Sequence, residues 1–164
     1  MVIEKKLLDL FQEQIRNELE SAYKYLGMAA YFESTPYKGF AKWMRKQAEE
    51  ETEHAMKFFD YVNDRGNHVE LFPIVSMPTH YTSPREVFQE TLAHEQQVTH
   101  LIYGMYRVAL EIKDFAAQIL LQWYITEQVE EEKQAQDILS QIETVGDNIA
   151  ALMKIDSKVG KRED

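Results

Sequence analysis

The chain has 164 residues, 45% of them hydrophobic and 28% charged, with 28 acids against 18 bases for a formal net charge of −10. Such a balance repels phosphate backbones and attracts cations, so nucleic acid is not an expected partner. There is no cysteine, which excludes a disulfide framework, a thiolate metal site and a cysteine nucleophile. No apolar run approaches the roughly 18–20 residues that span a bilayer, and the start Met1-Val2-Ile3-Glu4-Lys5-Lys6 lacks the features of a secretory signal. A cytoplasmic protein with no membrane partner, forming one domain over residues 1–164, is the expectation.

Helical periodicity runs through most of the chain. A first helix is predicted over residues 4–33, ended by Ser34-Thr35-Pro36, and a second over 38–65, stopped by Gly66-Asn67. Residues 67–83, with Pro73 and Pro78, form a long connection. Ser83 is a suitable N-cap and Pro84 a suitable first residue for a third helix reaching 112. A fourth is predicted over 114–145, closed by Gly146, and a short fifth over 148–159 before a charged tail at 160–164. The two short links make antiparallel hairpins. The long link can travel the length of a bundle and leave the second and third helices parallel, so the expected fold is all-α, a four-helix bundle with one crossover.

Ligand-type residues recur at fixed spacings. Glu18 lies 33 positions before Glu51, and Glu95 lies 33 before Gln128. Glu95, Gln128 and Glu131 each follow Glu18, Glu51 and His54 by 77. On a wheel of about 100° per residue, each carboxylate falls within its helix's apolar stripe. Glu51 shares its face with Met44, Ala48, Ala55, Phe58 and Val62; Glu18 with Phe11, Ile15, Ala22, Tyr25 and Ala29. Glu95 keeps company with Phe88, Leu92, Ile102 and Tyr106, and Glu131 with Leu120, Tyr124, Ile138 and Ile142.

An unpaired buried carboxylate costs several kcal/mol, and four in one core repel each other. No lysine or arginine lies in these stripes near the acids. Two divalent ions would balance the four negative charges of Glu18, Glu51, Glu95 and Glu131. Residues three apart share a helix face, so Glu51 with His54 can hold one ion and Gln128 with Glu131 another. Carboxylate, imidazole and amide oxygen without sulfur favour iron or manganese, with zinc a competitor. Tyr25, two turns beyond Glu18, can hydrogen-bond a ligand, and Trp123 and Tyr124 can supply electrons. Glu50, Glu127 and Glu130 lie beside these faces and are candidates for a third cation site. Glu49, Glu53 and Glu132 read as solvated, and His68, His80, His94 and His100 as ordinary residues.

The combination resembles bacterial and archaeal non-haem ferritins over nearly the whole chain. The stretches that carry it are Asn17-Glu18 to Tyr25, Ala48 to His54, His94-Glu95 and Trp123 to Glu132. The resemblance implies a ferritin-like fold with a short C-terminal fifth helix lining four-fold channels, and a 24-subunit homo-oligomeric shell holding a ferric mineral. It makes Glu18, Glu51 and His54 the ligands of one ferroxidase iron. Glu51 would bridge to a second iron at Glu95 and Glu131, with Gln128 beside it, Tyr25 as the site tyrosine, and Glu50, Glu127 and Glu130 as a third iron site. It implies Fe(II) as substrate and O2 or H2O2 as oxidant. Bacterioferritins, similar in fold, carry a methionine after the second-helix glutamate and Glu-x-x-His on the fourth helix. Here Thr52 and Gln128…Glu131 stand there, so no haem is expected. Glu111 and Asp114 are candidates for acids lining a three-fold channel.

Overall fold

The computed structural model describes residues 2–161, so Arg162, Glu163 and Asp164 of the expected charged tail lie outside the described residues. Five helices follow in order: α1 (Lys5–Glu33), α2 (Lys38–Asp64), α3 (Pro84–Glu111), α4 (Phe115–Val145) and α5 (Ile149–Val159). Their limits fall within about a residue of those read from periodicity and breakers, the usual precision of a helix end. No strand occurs among the described residues, and none of their helices is long and apolar enough to cross a membrane.

The starts of three helices show why the boundaries were legible. The Ser83 hydroxyl accepts from Glu86 N at 3.1 Å, with Pro84 at the first helical position. Asp114 accepts from Ala117 N at 3.0 Å, and Asn148 from Ala151 N at 3.0 Å. The α3–α4 turn is less conventional. It passes through Lys113 at φ 57°, a left-handed backbone without glycine.

Side-chain contacts fix the directions. Phe11 meets Phe58 and Phe32 meets Phe40, so α1 and α2 are antiparallel. Thr99 meets Glu132 and Tyr106 meets Gln122, so α3 and α4 are antiparallel. Trp43 and Phe40 both pack on Phe88, bringing the starts of α2 and α3 together and making them parallel. The connection between them tracks α1 from end to end. Asn67 accepts from Ile3 N at 2.9 Å, Glu70 N donates to Gln12 at 2.8 Å, and Tyr81 packs on Tyr31.

Two apolar clusters fill the bundle. One holds Met28, Phe32, Phe40, Trp43, Met44, Phe88 and Ile142; the other holds Leu7, Phe11, Phe58, Val62, Ile102, Leu121 and Tyr124. The polar layer described below lies between them. At one end α5 is drawn tightly onto α2. A Cβ at Gly39 would stand 1.9 Å from the Asp156 carbonyl oxygen, so only glycine permits this approach. The buried Asp156 carboxylate accepts from Phe40 N at 2.7 Å, capping α2 from another helix.

The two acids proposed for a channel are otherwise occupied. Asp114 is paired with Arg65 at 2.9 and 3.0 Å as well as capping α4, and its side chain is 11% exposed. Glu111 pairs with Lys6 at 2.9 Å on the surface. The sequence placed both at a turn but carried no sign of their partners. The cap across α5 makes a stability prediction. Asp156→Ala should lower unfolding stability by about 1–3 kcal/mol through the orphaned Phe40 N–H, read by denaturant unfolding, and an unchanged midpoint would contradict the cap.

Candidate metal centre

The four helices deliver their ligand-type side chains to one dry layer. Glu18, Glu51, Glu95 and Glu131 are 1–2% exposed, Gln128 is 3%, His54 5% and Tyr25 0%. All but Tyr25, which was singled out two turns beyond Glu18, came from the repeat pattern, and each is buried. Among the described residues, two groups place acid or imidazole ligand atoms within 4.8 Å of one another: Glu18, Glu51 and His54, and His54, Glu127 and Glu131. His54 belongs to both. Its Nδ1 lies 3.5 Å from Glu51 Oε2 and its Nε2 3.8 Å from Glu127 Oε1.

Each carboxylate has its own supports. Glu18 Oε1 accepts from Gln14 Nε2 at 2.8 Å, and Glu131 Oε2 from Gln47 Nε2 at 2.8 Å. Glu95 Oε1 accepts from the Tyr25 hydroxyl in a short hydrogen bond, and its Oε2 from Gln128 Nε2 at 3.1 Å. Gln128 therefore acts as a donor that holds Glu95 in this arrangement. The Tyr124 hydroxyl donates to the His54 carbonyl at 2.7 Å, and its ring stacks on Phe58 with centroids 4.2 Å apart. Glu18 Oε2 and Glu51 Oε2 are buried without any hydrogen-bond partner. Orphaned acceptors of this kind are rare and costly in a folded core, and two of them facing one imidazole suit a cation.

The electrostatics agree. Burial, reinforced by the charges of Glu95 and Glu18, pushes the Glu51 carboxyl well above its ordinary range. Burial likewise raises Glu95 to about 7, against the opposing hydrogen bonds from Tyr25 and Gln128. Burial, then the charges of Glu95 and Glu51, raises the Tyr25 phenol well above its usual value, so it remains a donor.

The remaining expectations divide. Trp123 packs edge-on to His54 with centroids 5.5 Å apart, is 38% exposed, and carries the Lys57 ammonium 4.0 Å above its ring. The third-site trio does not close into one group. Glu127 turns toward His54, while Glu50 and Glu130 line a groove under α5 with Trp43, Gln134 and Asp137. Glu132, expected to be solvated, is half-buried and accepts from Thr99 at 2.5 Å, while Thr99 is itself 3.3 Å from Gln128 Nε2. His94 is held neutral, its pKa lowered to about 4 by burial and by Lys24, and its Nε2 lies 2.8 Å from the Ser21 hydroxyl.

Gln14 and Gln47 are the site residues that sequence reasoning missed. They lie one turn before Glu18 and Glu51 and are themselves 33 apart. Adding 77 to each gives Thr91 and Tyr124, also buried. The repeat that marked the candidate ligands thus also marks buried residues one turn before each, Gln14 and Tyr124 toward one apolar cluster and Gln47 and Thr91 toward the other.

Buried carboxylates and an imidazole converging from four helices define the class, a helical bundle with a carboxylate and imidazole cluster that could hold metal ions. A profile of the ferritin-like domain matches residues 8–145, and the chain belongs to the ferritin family. It is similar to the bacterial non-heme ferritin of Staphylococcus saprophyticus, with 36% identity over 98% of this chain and 96% of that protein. The Staphylococcus aureus counterpart is 34% identical over 98% and 97%. Among solved structures, it resembles the open-pore ferritin of the archaeon Archaeoglobus fulgidus, with a TM-score of 0.97 and 42% identity over 98% of this chain and 99% of that one. A closed form of that ferritin, engineered by site-directed mutagenesis, superposes with a TM-score of 0.95.

The raised carboxyls make stability depend on pH. Their folded-state pKa values exceed the ordinary 4.5, so their contribution is complete below that range and is lost as pH rises through about 7 for Glu95. The metal-free protein should lose thermal stability over that interval in calorimetry. A Glu51→Gln/Glu95→Gln variant should show a flatter slope, and a slope matching the parent's would contradict the burial argument.

Proposed function

We propose that this protein stores iron, oxidising Fe(II) at a centre within each chain and holding the ferric product as an oxyhydroxide mineral inside a shell of 24 copies. The observation that carries the reading is the pair of buried oxygens on Glu18 and Glu51 that receive no hydrogen bond, with His54 Nδ1 3.5 Å from the Glu51 one. Membership of the ferritin family supports iron storage. The intrachain site, its residues and the shell are our extension of it. We read residues 1–164 as a single ferritin-like domain, cytoplasmic and without haem.

Fe(II) is the substrate. Glu18, Glu51 and His54 hold one ion, and Glu95 and Glu131 hold the other with Glu51 shared between them. Gln128 and Tyr25 orient Glu95, Gln14 orients Glu18, and Gln47 orients Glu131. Binding displaces the protons that burial favours on Glu51 and Glu95, so the site takes up cations more readily as pH rises. Two Fe(II) ions give up one electron each to dioxygen, which takes two protons and leaves as hydrogen peroxide. With hydrogen peroxide as oxidant, the same two electrons and two protons yield two waters. Adjacent irons thereby avoid a free one-electron oxygen product. Fe(III) then passes through Glu127 toward Glu130 and Glu50, the third site of this reading. Glu127 reaches the centre, and the other two open onto the groove beneath α5.

A double Glu18→Ala/His54→Ala variant tests the assignment. Aerobic Fe(II) oxidation, followed by absorbance, should slow on the order of 100-fold while the assembled size by light scattering is retained. Oxidation at the parent rate would refute it.

A further inference from the structure

The two flanks of the centre differ in chemistry. On the α2–α4 side, Glu127 approaches His54 and the acids Glu50 and Glu130 continue outward, a lining suited to a dication. The α1–α3 side is largely apolar within, with its charged side chains Glu13, Glu20 and Lys24 outside the wall that meets Gln14. A cavity of about 160 Å³ lies in that seam, walled by Leu10, Leu101, Met105 and Gly104, with the exposed Glu13 and His100 at its rim. Its inner wall includes Gln14, whose amide sits 2.8 Å from Glu18 Oε1 and whose own oxygen accepts from Asn17 Nδ2 at 3.3 Å. One side chain therefore separates the cavity from a ligand of the centre. A neighbouring cavity of about 300 Å³ shares Asn17 and Leu101 and reaches Ser21 and His94, next to Glu95.

Gly104 is a second, independent observation. Glycine inside a helix weakens it, so such a residue calls for a local reason. Packing within the chain offers none, because a Cβ at Gly104 would meet nothing of it within 4 Å. What the missing side chain leaves is open space in the cavity that ends at Gln14.

The geometry points to the α1–α3 seam as the path by which dioxygen reaches the centre, with Gln14 as the residue it must pass and the cation arriving from the opposite flank. Past Glu13 at the rim, a hydrated dication would lose its water against leucine, methionine and the Gln14 amide with no anion lining that stretch to replace it. Dioxygen is neutral, apolar and small, and suffers no such loss. The inference rests on the ferroxidase reading, since it names the path of that reaction's oxidant.

Gly104→Leu fills the seam with a good helix former at a residue that is not itself a candidate ligand. Initial Fe(II) oxidation by stopped flow should fall roughly tenfold at limiting dioxygen and recover as dioxygen is raised, a change in KM rather than kcat. Anaerobic Co(II) titration should give the parent's stoichiometry and visible spectrum. An unchanged KM for dioxygen, or a fall in kcat alone, overturns the path. Parent crystals pressurised with xenon provide a readout that needs no variant. Xenon should appear beside Leu101, Gly104 and Met105, and its absence there also overturns the proposal. Failure of the parent to bind Co(II) or oxidise Fe(II) would instead defeat the ferroxidase reading, whatever xenon shows.

Discussion

Mutual repulsion among Glu18, Glu51, Glu95 and Glu131, sunk between two apolar clusters, is the constraint around which the rest of the bundle is arranged. Bringing a charge into low dielectric costs far more than a surface ion pair returns. The folded chain meets that cost with a single imidazole, a few amide and phenol donors, and carboxyl groups pushed toward their protonated forms. This is a poor way to stabilise a protein and a good way to bind dications. Burial favours the protonated forms of Glu51 and Glu95, and on the proposed reading a metal ion binds by displacing those protons.

The scaffold makes that arrangement tolerable by keeping it rigid. Phe11, Phe58 and Tyr124 pack directly on one side of the polar layer, and Tyr25, Trp43 and Phe88 on the other. On either side of the candidate ligands, Gln14 and Tyr124 hold Glu18 and the His54 backbone, and Gln47 holds Glu131. Such supporting residues decide ligand orientation as much as the ligands themselves do. The crossover laid along α1 makes α2 and α3 parallel, and this lets both halves of the repeat present acids at the same depth.

Much of this was visible in the chain before folding was considered. Helix limits could be read because Ser83, Pro84, Asp114, Asn148 and Gly146 act locally, through the first or last turn they touch. The buried acids could be read because an acid in an apolar stripe contradicts its surroundings wherever the helix packs. Partnerships across the bundle were less legible. Asp114 looked like an available acid because Arg65 lies 49 positions away in sequence. Glu132 looked solvated because its tie to Gln128 runs through Thr99 on another helix. Gln14 and Gln47 were overlooked for a different reason. Buried glutamine carries no charge to betray it, although the same spacing marked both.

Anaerobic soaking of crystals with Fe(II), followed by anomalous diffraction at the iron edge, tests the central claim most directly. The account predicts two strong peaks per chain, one bounded by Glu18, Glu51 and His54 and the other by Glu51, Glu95 and Glu131. Iron found only on surface carboxylates, with the buried layer empty, would contradict it.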